Sequence, residues 1–157
     1  MVRPYELISE GCRLDSKIEV EDKQSNKINI NEIFNDNTSV LIFRVSEFHC
    51  DACVTQCMQI LKDLQYNYNL KDVVILGAFS NMRKLKVICQ TNGLDLDMYN
   101  IMSDLNIPLE QINSPYFFLL NKEDLRCQSF FVALKENPKM TISNLRVIFQ
   151  RDILLAN

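Results

Sequence analysis

The spacing of apolar and polar residues changes several times along the chain, and each change predicts an element. In residues 16–38, Ile18 and Val20 alternate with polar neighbours, and Ile28 and Ile30 do the same. That period of two predicts two short strands about a turn at Gln24-Ser25-Asn26. Residues 39–46 (SVLIFRVS) form a dense, β-branched run, the pattern of a strand covered on both faces. From residue 52 to about 66 the period becomes helical, with Cys53, Cys57, Ile60, Leu61 and Leu64 on one stripe. Residues 73–79 (VVILGAF) read as a second buried strand. Ser80 is placed to cap a helix over residues 81–91 that Asn92-Gly93 ends, with Leu85, Ile88 and Cys89 facing inward. Residues 96–102 read as a third strand. After Ser114-Pro115, the run Tyr116-Phe117-Phe118-Leu119-Leu120, a turn at residues 121–124 and a partner strand over 127–134 predict an antiparallel hairpin. Residues 140–155 close the chain as an amphipathic helix, with Ile142, Leu145, Ile148, Phe149 and Ile153 inward. Alternating strands and helices followed by a hairpin predict an α/β fold, a central mixed sheet flanked by helices.

Composition narrows the class. A chain of 157 residues suffices for one domain with a sizeable core. We expect an N-terminal extension over residues 1–16 and one domain over 17–157. A net charge of −3 without a Lys/Arg run gives no reason to expect nucleic acid or an anionic membrane surface as partner. No apolar stretch approaches the ~20 residues a spanning helix needs. The start of the sequence lacks the basic-then-apolar pattern of an export signal. The expected location is the periplasm or cell envelope if an export leader has been trimmed, and the cytoplasm otherwise. Residues 8–11 before Cys12 faintly resemble a lipoprotein cleavage box, but the apolar region such a box requires is missing upstream.

The candidate chemistry lies among six cysteines, of which Cys50, Cys53 and Cys57 cluster within eight residues while Cys12, Cys89 and Cys127 are dispersed. The dispersed ones read as small buried hydrophobes. Cys50-Asp51-Ala52-Cys53 falls where an apolar strand runs into a helix. A helix N-terminus presents unpaired N–H groups and partial positive charge, which stabilise a thiolate. The second cysteine, one turn on, is close enough to close a disulfide on the first. In this context the motif points to redox exchange. An Asp51 carboxylate would oppose a Cys50 thiolate and a protonated His49 would favour it. Glu47, at the strand end, is a candidate proton relay to Cys53.

The order strand, C-x-x-C, helix, strand, helix, strand, proline, hairpin, helix resembles the thioredoxin fold over residues 17–156. More narrowly it resembles the thioredoxin-like domains of the bacterial cell envelope related to the TlpA and alkyl-hydroperoxide-reductase branches. Cys50-Asp51-Ala52-Cys53 and Ser114-Pro115-Tyr116-Phe117-Phe118-Leu119 carry the likeness. The resemblance implies that Cys50 attacks, that Cys53 resolves, and that Pro115 is cis beside them while Ser114 offers backbone groups to an extended substrate. It implies thiol–disulfide exchange with protein thiols and disulfides, and no separable cofactor. Two departures stand out: His49 replaces the Trp common before the first cysteine, and the intervening dipeptide is Asp-Ala.

Three rival readings remain open at this point. His49, Cys50, Cys53 and Cys57 offer soft ligands suited to Cu(I) or Zn, although no second knuckle accompanies them. Peroxidase chemistry would need Thr and Arg about the cysteine; Arg44 and Thr55 are present, but in the wrong arrangement. A thioredoxin-like domain can also serve as a non-catalytic binding module.

Overall fold

The computed structural model describes residues 3–150. Seven strands form one mixed sheet: β1 (Glu19–Glu21), β2 (Lys27–Asn29), β3 (Ser39–Ser46), β4 (Val73–Ala78), β5 (Asp97–Asn100), β6 (Tyr116–Asn121) and β7 (Cys127–Val132). Their order is β2-β1-β5-β4-β3-β6-β7. β3, β4 and β5 run parallel, and β6 and β7 return antiparallel beside β3. Four α-helices accompany the sheet: α1 (Arg3–Ser9), α2 (Asp51–Leu64), α3 (Met82–Thr91) and α4 (Pro138–Ile148). Short 3-10 turns span Ile30–Phe34 and Pro108–Gln111.

The central strands are apolar on both faces because each face has its own core. Leu41, Phe43 and Val45 of β3 pack with Val54, Met58 and Leu61 of α2 and with Leu145 of α4. Val40 and Ile42 face the other way, onto Phe34, Leu105 and Leu109. β6 alternates likewise, sending Phe117 and Leu119 to the first core and Tyr116, Phe118 and Leu120 to the second.

Arg44 breaks this apolar pattern, and it is buried on the second side. Its guanidinium makes a bidentate pair with Glu110, at 3.0 and 3.3 Å, and donates to the carbonyls of Gly77, Ile101 and Ser103. Glu110 also accepts from the Leu105 N–H and the Tyr116 hydroxyl, both at 2.8 Å. Burial pushes the Glu110 carboxyl upward, but the Arg44 charge and these donors outweigh it and hold it below its usual range. The network ties residues 101–110 across the end of the sheet.

Several expectations are corrected in detail. The cap of α3 is Asn81, not Ser80: Asn81 is extended and its side chain accepts from the Lys84 N–H at 2.9 Å. The Ser114–Pro115 bond is trans, not cis, since the described residues contain no cis peptide. Trans is the intrinsically favoured isomer by ~0.5–1 kcal/mol. It sends the chain extended into β6, with the Pro115 carbonyl accepting from the Ala133 N–H at 3.0 Å. β5 is shorter than the 96–102 expected, because the buried Asn100 side chain turns to bond both the N–H and the carbonyl of Phe79. α4 begins at Pro138 under an Asn137 cap, and Ile153 lies outside the described residues.

The N-terminal segment is built into the sheet edge. Glu6 accepts from the Val132 N–H, and Glu10 accepts from the Ser129 and Phe130 N–H groups. These carboxylates occupy donors that an edge strand otherwise leaves open to pairing with another chain.

Candidate functional site

The site grows from the junction of β3 and α2. Ser46 to Cys50 fold into a tight, self-bonded loop: the His49 N–H donates to the Ser46 carbonyl at 3.1 Å, and the Phe48 N–H to the Ser46 hydroxyl at 3.1 Å. Cys50 then stands at the N-cap of α2, and its sulfur accepts from the Cys53 N–H at 3.3 Å. Sulfur thus occupies the place an Asp or Ser oxygen takes at ordinary caps.

Cys50 and Cys53 lie together as free thiols and differ in environment. Cys50 is partly exposed and Cys53 is buried. The Cys50 thiol is held below its usual range, first by the hydrogen bond from the Cys53 thiol, then by the Cys53 and Ala52 N–H groups and the Lys135 charge. Cys53 is pushed up to about 11, first by burial and then by serving as hydrogen-bond donor to Cys50. One member of the pair is prepared to ionise while the other keeps its proton.

The neighbouring residues take unexpected roles. His49 is largely buried, and its Nδ1 accepts from the Ser46 N–H at 3.0 Å. Burial, helped by the Arg44 charge, lowers its pKa to about 4 despite the opposing Glu110. At neutral pH it carries no charge, so it does not stabilise a Cys50 thiolate electrostatically. Glu47 directs its carboxylate to the Ser80 N–H and to Lys84 at 3.4 Å, pinning the start of α3. The carboxylate read from its strand-end position as a proton relay is thus engaged at the start of α3. Asp51 is exposed on the first turn of α2.

Cys57 is buried against the first core, and burial pushes it up to about 12. His49 Nδ1, one candidate donor of the rival metal reading, is already engaged by the Ser46 N–H. Among the described residues, no three His, Cys, Asp or Glu side chains gather in a way that could hold a metal ion.

Ser114 and Pro115 arrive at the same end of the sheet. Arg44 pairs with Tyr116, so continuing the antiparallel register brings Pro115 and Ser114 beside Val45 and Ser46. Pro115 is buried and Ser114 half-buried. Two clefts are lined by chain neighbours of the thiols, though by neither Cys50 nor Cys53. One, of about 520 Å³, lies between α2 and α3 and is lined by Asp51, Val54, Phe79, Val87 and Ile88. The other, of about 280 Å³, is lined by His49, Arg44, Phe48, Met102 and Ile112. Phe48 and Met102 are exposed at its rim, Phe48 by 68%.

Sequence reasoning missed Lys135 and Glu110. Lys135 follows β7, and its charge favours ionisation of both thiols. No local pattern marks it, because it lies 85 residues from Cys50 in the chain. Glu110 carried one indirect signal: an arginine inside a strand covered on both faces demands a buried anion. Which of the 20 acidic residues answers it is not readable from spacing. Arg44 is also bound into that ion pair and to carbonyls, which removes it as a group to polarise a peroxide.

By sequence the chain matches no protein-family model and no curated protein. By structure it is similar to a provisionally assigned electron transfer protein of Aquifex aeolicus VF5, with a TM-score of 0.62 and 14% identity over 91% of this chain and 96% of that one. It is similar to the C-terminal domain of a provisionally assigned thiol-disulfide oxidoreductase of Bacteroides thetaiotaomicron, with a TM-score of 0.59 and 15% identity over 89% and 96%. The peroxidoxin BcpB of Mycobacterium tuberculosis follows, with a TM-score of 0.57 and 13% identity over 88% and 97%. The mixed sheet, its flanking helices and these neighbours together show that the chain has the thioredoxin-like α/β fold.

Proposed function

We propose that the protein exchanges disulfides with protein partners through Cys50 and Cys53. The observation that carries this reading is the asymmetry of the pair: an accessible sulfur at a helix N-cap, held toward the thiolate, and a buried partner one turn on that keeps its proton. The Cys50 thiolate attacks one sulfur of a partner disulfide and expels the other as thiolate, leaving a mixed disulfide. Cys53 then loses its proton and attacks Cys50, which releases the partner dithiol and leaves Cys50–Cys53 oxidised. The reverse sequence oxidises a partner dithiol. The exposed Phe48 and Met102 offer apolar contact beside Cys50, and half-buried Ser114, next to Pro115, offers backbone groups to an extended partner chain.

The test is the reduction potential of the pair, titrated against glutathione with thiol trapping read by mass spectrometry. A reversible two-electron couple between about −120 and −270 mV, abolished in Cys50→Ser, is the expected result. Failure of Cys50 and Cys53 to pair at any glutathione ratio would overturn the proposal.

A further inference from the structure

A second pair of cysteines meets at the far edge of the sheet. Residues 11–14 run antiparallel to residues 125–127 along the outer side of β7. The Cys127 N–H donates to the Cys12 carbonyl at 2.7 Å, the Gly11 N–H to the Cys127 carbonyl at 2.8 Å, and the Leu14 N–H to the Leu125 carbonyl at 2.9 Å. Arg13 and Arg126 form the adjoining bridge. Cys12 and Cys127 are therefore cross-strand neighbours. Gly11, at φ +82°, and Cys12 together oppose Cys127 as a bulge. Regular cross-strand neighbours hold their Cα atoms ~4.5–5.5 Å apart, inside the ~4.4–6.8 Å that a disulfide spans. The side chains also share surroundings: Cys127 is fully buried in the second core, and Cys12 packs half-buried against that core. Both are free thiols.

We propose that Cys12 and Cys127 form a second oxidisable pair, a disulfide that staples residues 3–14 to the edge strand β7 independently of the Cys50–Cys53 site. The oxidant is a low-molecular-weight disulfide. Cys12, the reachable member, attacks one of its sulfurs as the thiolate and expels the other as a thiolate, giving a mixed disulfide on Cys12. Cys127 then gives up its proton to solvent and attacks the Cys12 sulfur, expelling the second small thiolate. Two protein thiols are oxidised and one small disulfide is reduced to two thiols. Because Cys127 is buried and its thiol is pushed up to about 12, the second step is slow and follows transient opening of the edge. Cys89, dispersed in sequence like these two, is buried in the other core and serves as an internal control.

The experiment uses the full chain carrying Cys50→Ser and Cys53→Ser, so that its result does not depend on the reading of that site. The protein is incubated with oxidised glutathione, alkylated under denaturing conditions, digested and read by mass spectrometry. The expected product is a peptide pair linked through Cys12 and Cys127, with Cys57 and Cys89 alkylated. The same oxidation should raise the melting temperature by roughly 5–10 °C, a gain that vanishes in the half-exposed variant Cys12→Ala. The proposal is overturned if Cys12 stops at the glutathione adduct, or if both residues remain alkylated in fully oxidising buffer.

Discussion

At the scale of single residues, His49 and Lys135 exchange the roles that position alone suggests. The histidine next to Cys50 is neutral and structural, whereas the lysine across the β7–α4 loop supplies the positive charge. Removing that charge in Lys135→Met should slow alkylation of Cys50 at pH 7 by about two- to fivefold, a modest effect because the charge is exposed to solvent. An unchanged rate would mean the helix N-terminus and Cys53 account for the whole effect. His49 is a base whose folded pKa, about 4, lies below its unfolded value near 6.5. Between those values the unfolded chain binds the proton and the folded chain does not, so stability falls as pH drops from 6.5 to 4. His49→Asn keeps an acceptor for the Ser46 N–H and should remove up to about 3 kcal/mol of that acid-side loss, read as a flatter urea midpoint between pH 7 and 4.

Elements meet at this end of the sheet through two tight devices. The first is the Arg44–Glu110 pair, which anchors the segment between β5 and β6 to β3. Glu110→Gln leaves a buried guanidinium without its counter-charge and should cost about 3–5 kcal/mol in urea unfolding. A cost below about 1 kcal/mol would show that the carbonyls around Arg44 suffice. The second is the packing of β4 against α3. A Cβ at Gly77 would stand 2.8 Å from a Leu85 methyl and 3.0 Å from the Phe79 ring, so only hydrogen fits there. Gly77→Ala should destabilise by about 1–3 kcal/mol through overpacking, and Leu85→Ala in the same chain should relieve part of the steric clash.

For the whole molecule, the buried thiols set the alkaline limit. Cys53 is pushed to about 11, and Cys57, Cys89 and Cys127 to about 12, chiefly by burial. An unfolded cysteine ionises near 8.5. Above that pH the unfolded chain has lost protons that the folded chain keeps, so stability must fall as pH rises, by up to about 1.4 kcal/mol per unit for each such thiol. Reduced protein should therefore show a urea midpoint that declines steadily from pH 8.5 to 10.5, less steeply in Cys89→Ala. A flat midpoint would place water at these thiols.

Much of the architecture was legible in the order of residues, because its signals are local. A period of two or of 3.6, an Asn-Gly after a helical stripe, and a C-x-x-C at a strand end all operate within a few residues. They sufficed for the order of strands and helices from β1 to α4, the mixed sheet and the position of Cys50 and Cys53, but not for helix α1 within the expected N-terminal extension. Where two local signals stood side by side, as Ser80 and Asn81 did, the backbone conformation of the turn chose between them. Tertiary structure decided everything that depends on distant partners. It assigned Glu47 to Ser80, Arg44 to Glu110 and Lys135 to the thiols, and it seated Cys12 beside Cys127. The physical reason is one of range: charge state and reactivity follow from burial and from neighbours 30 to 115 residues away, which the pattern of a single element does not encode.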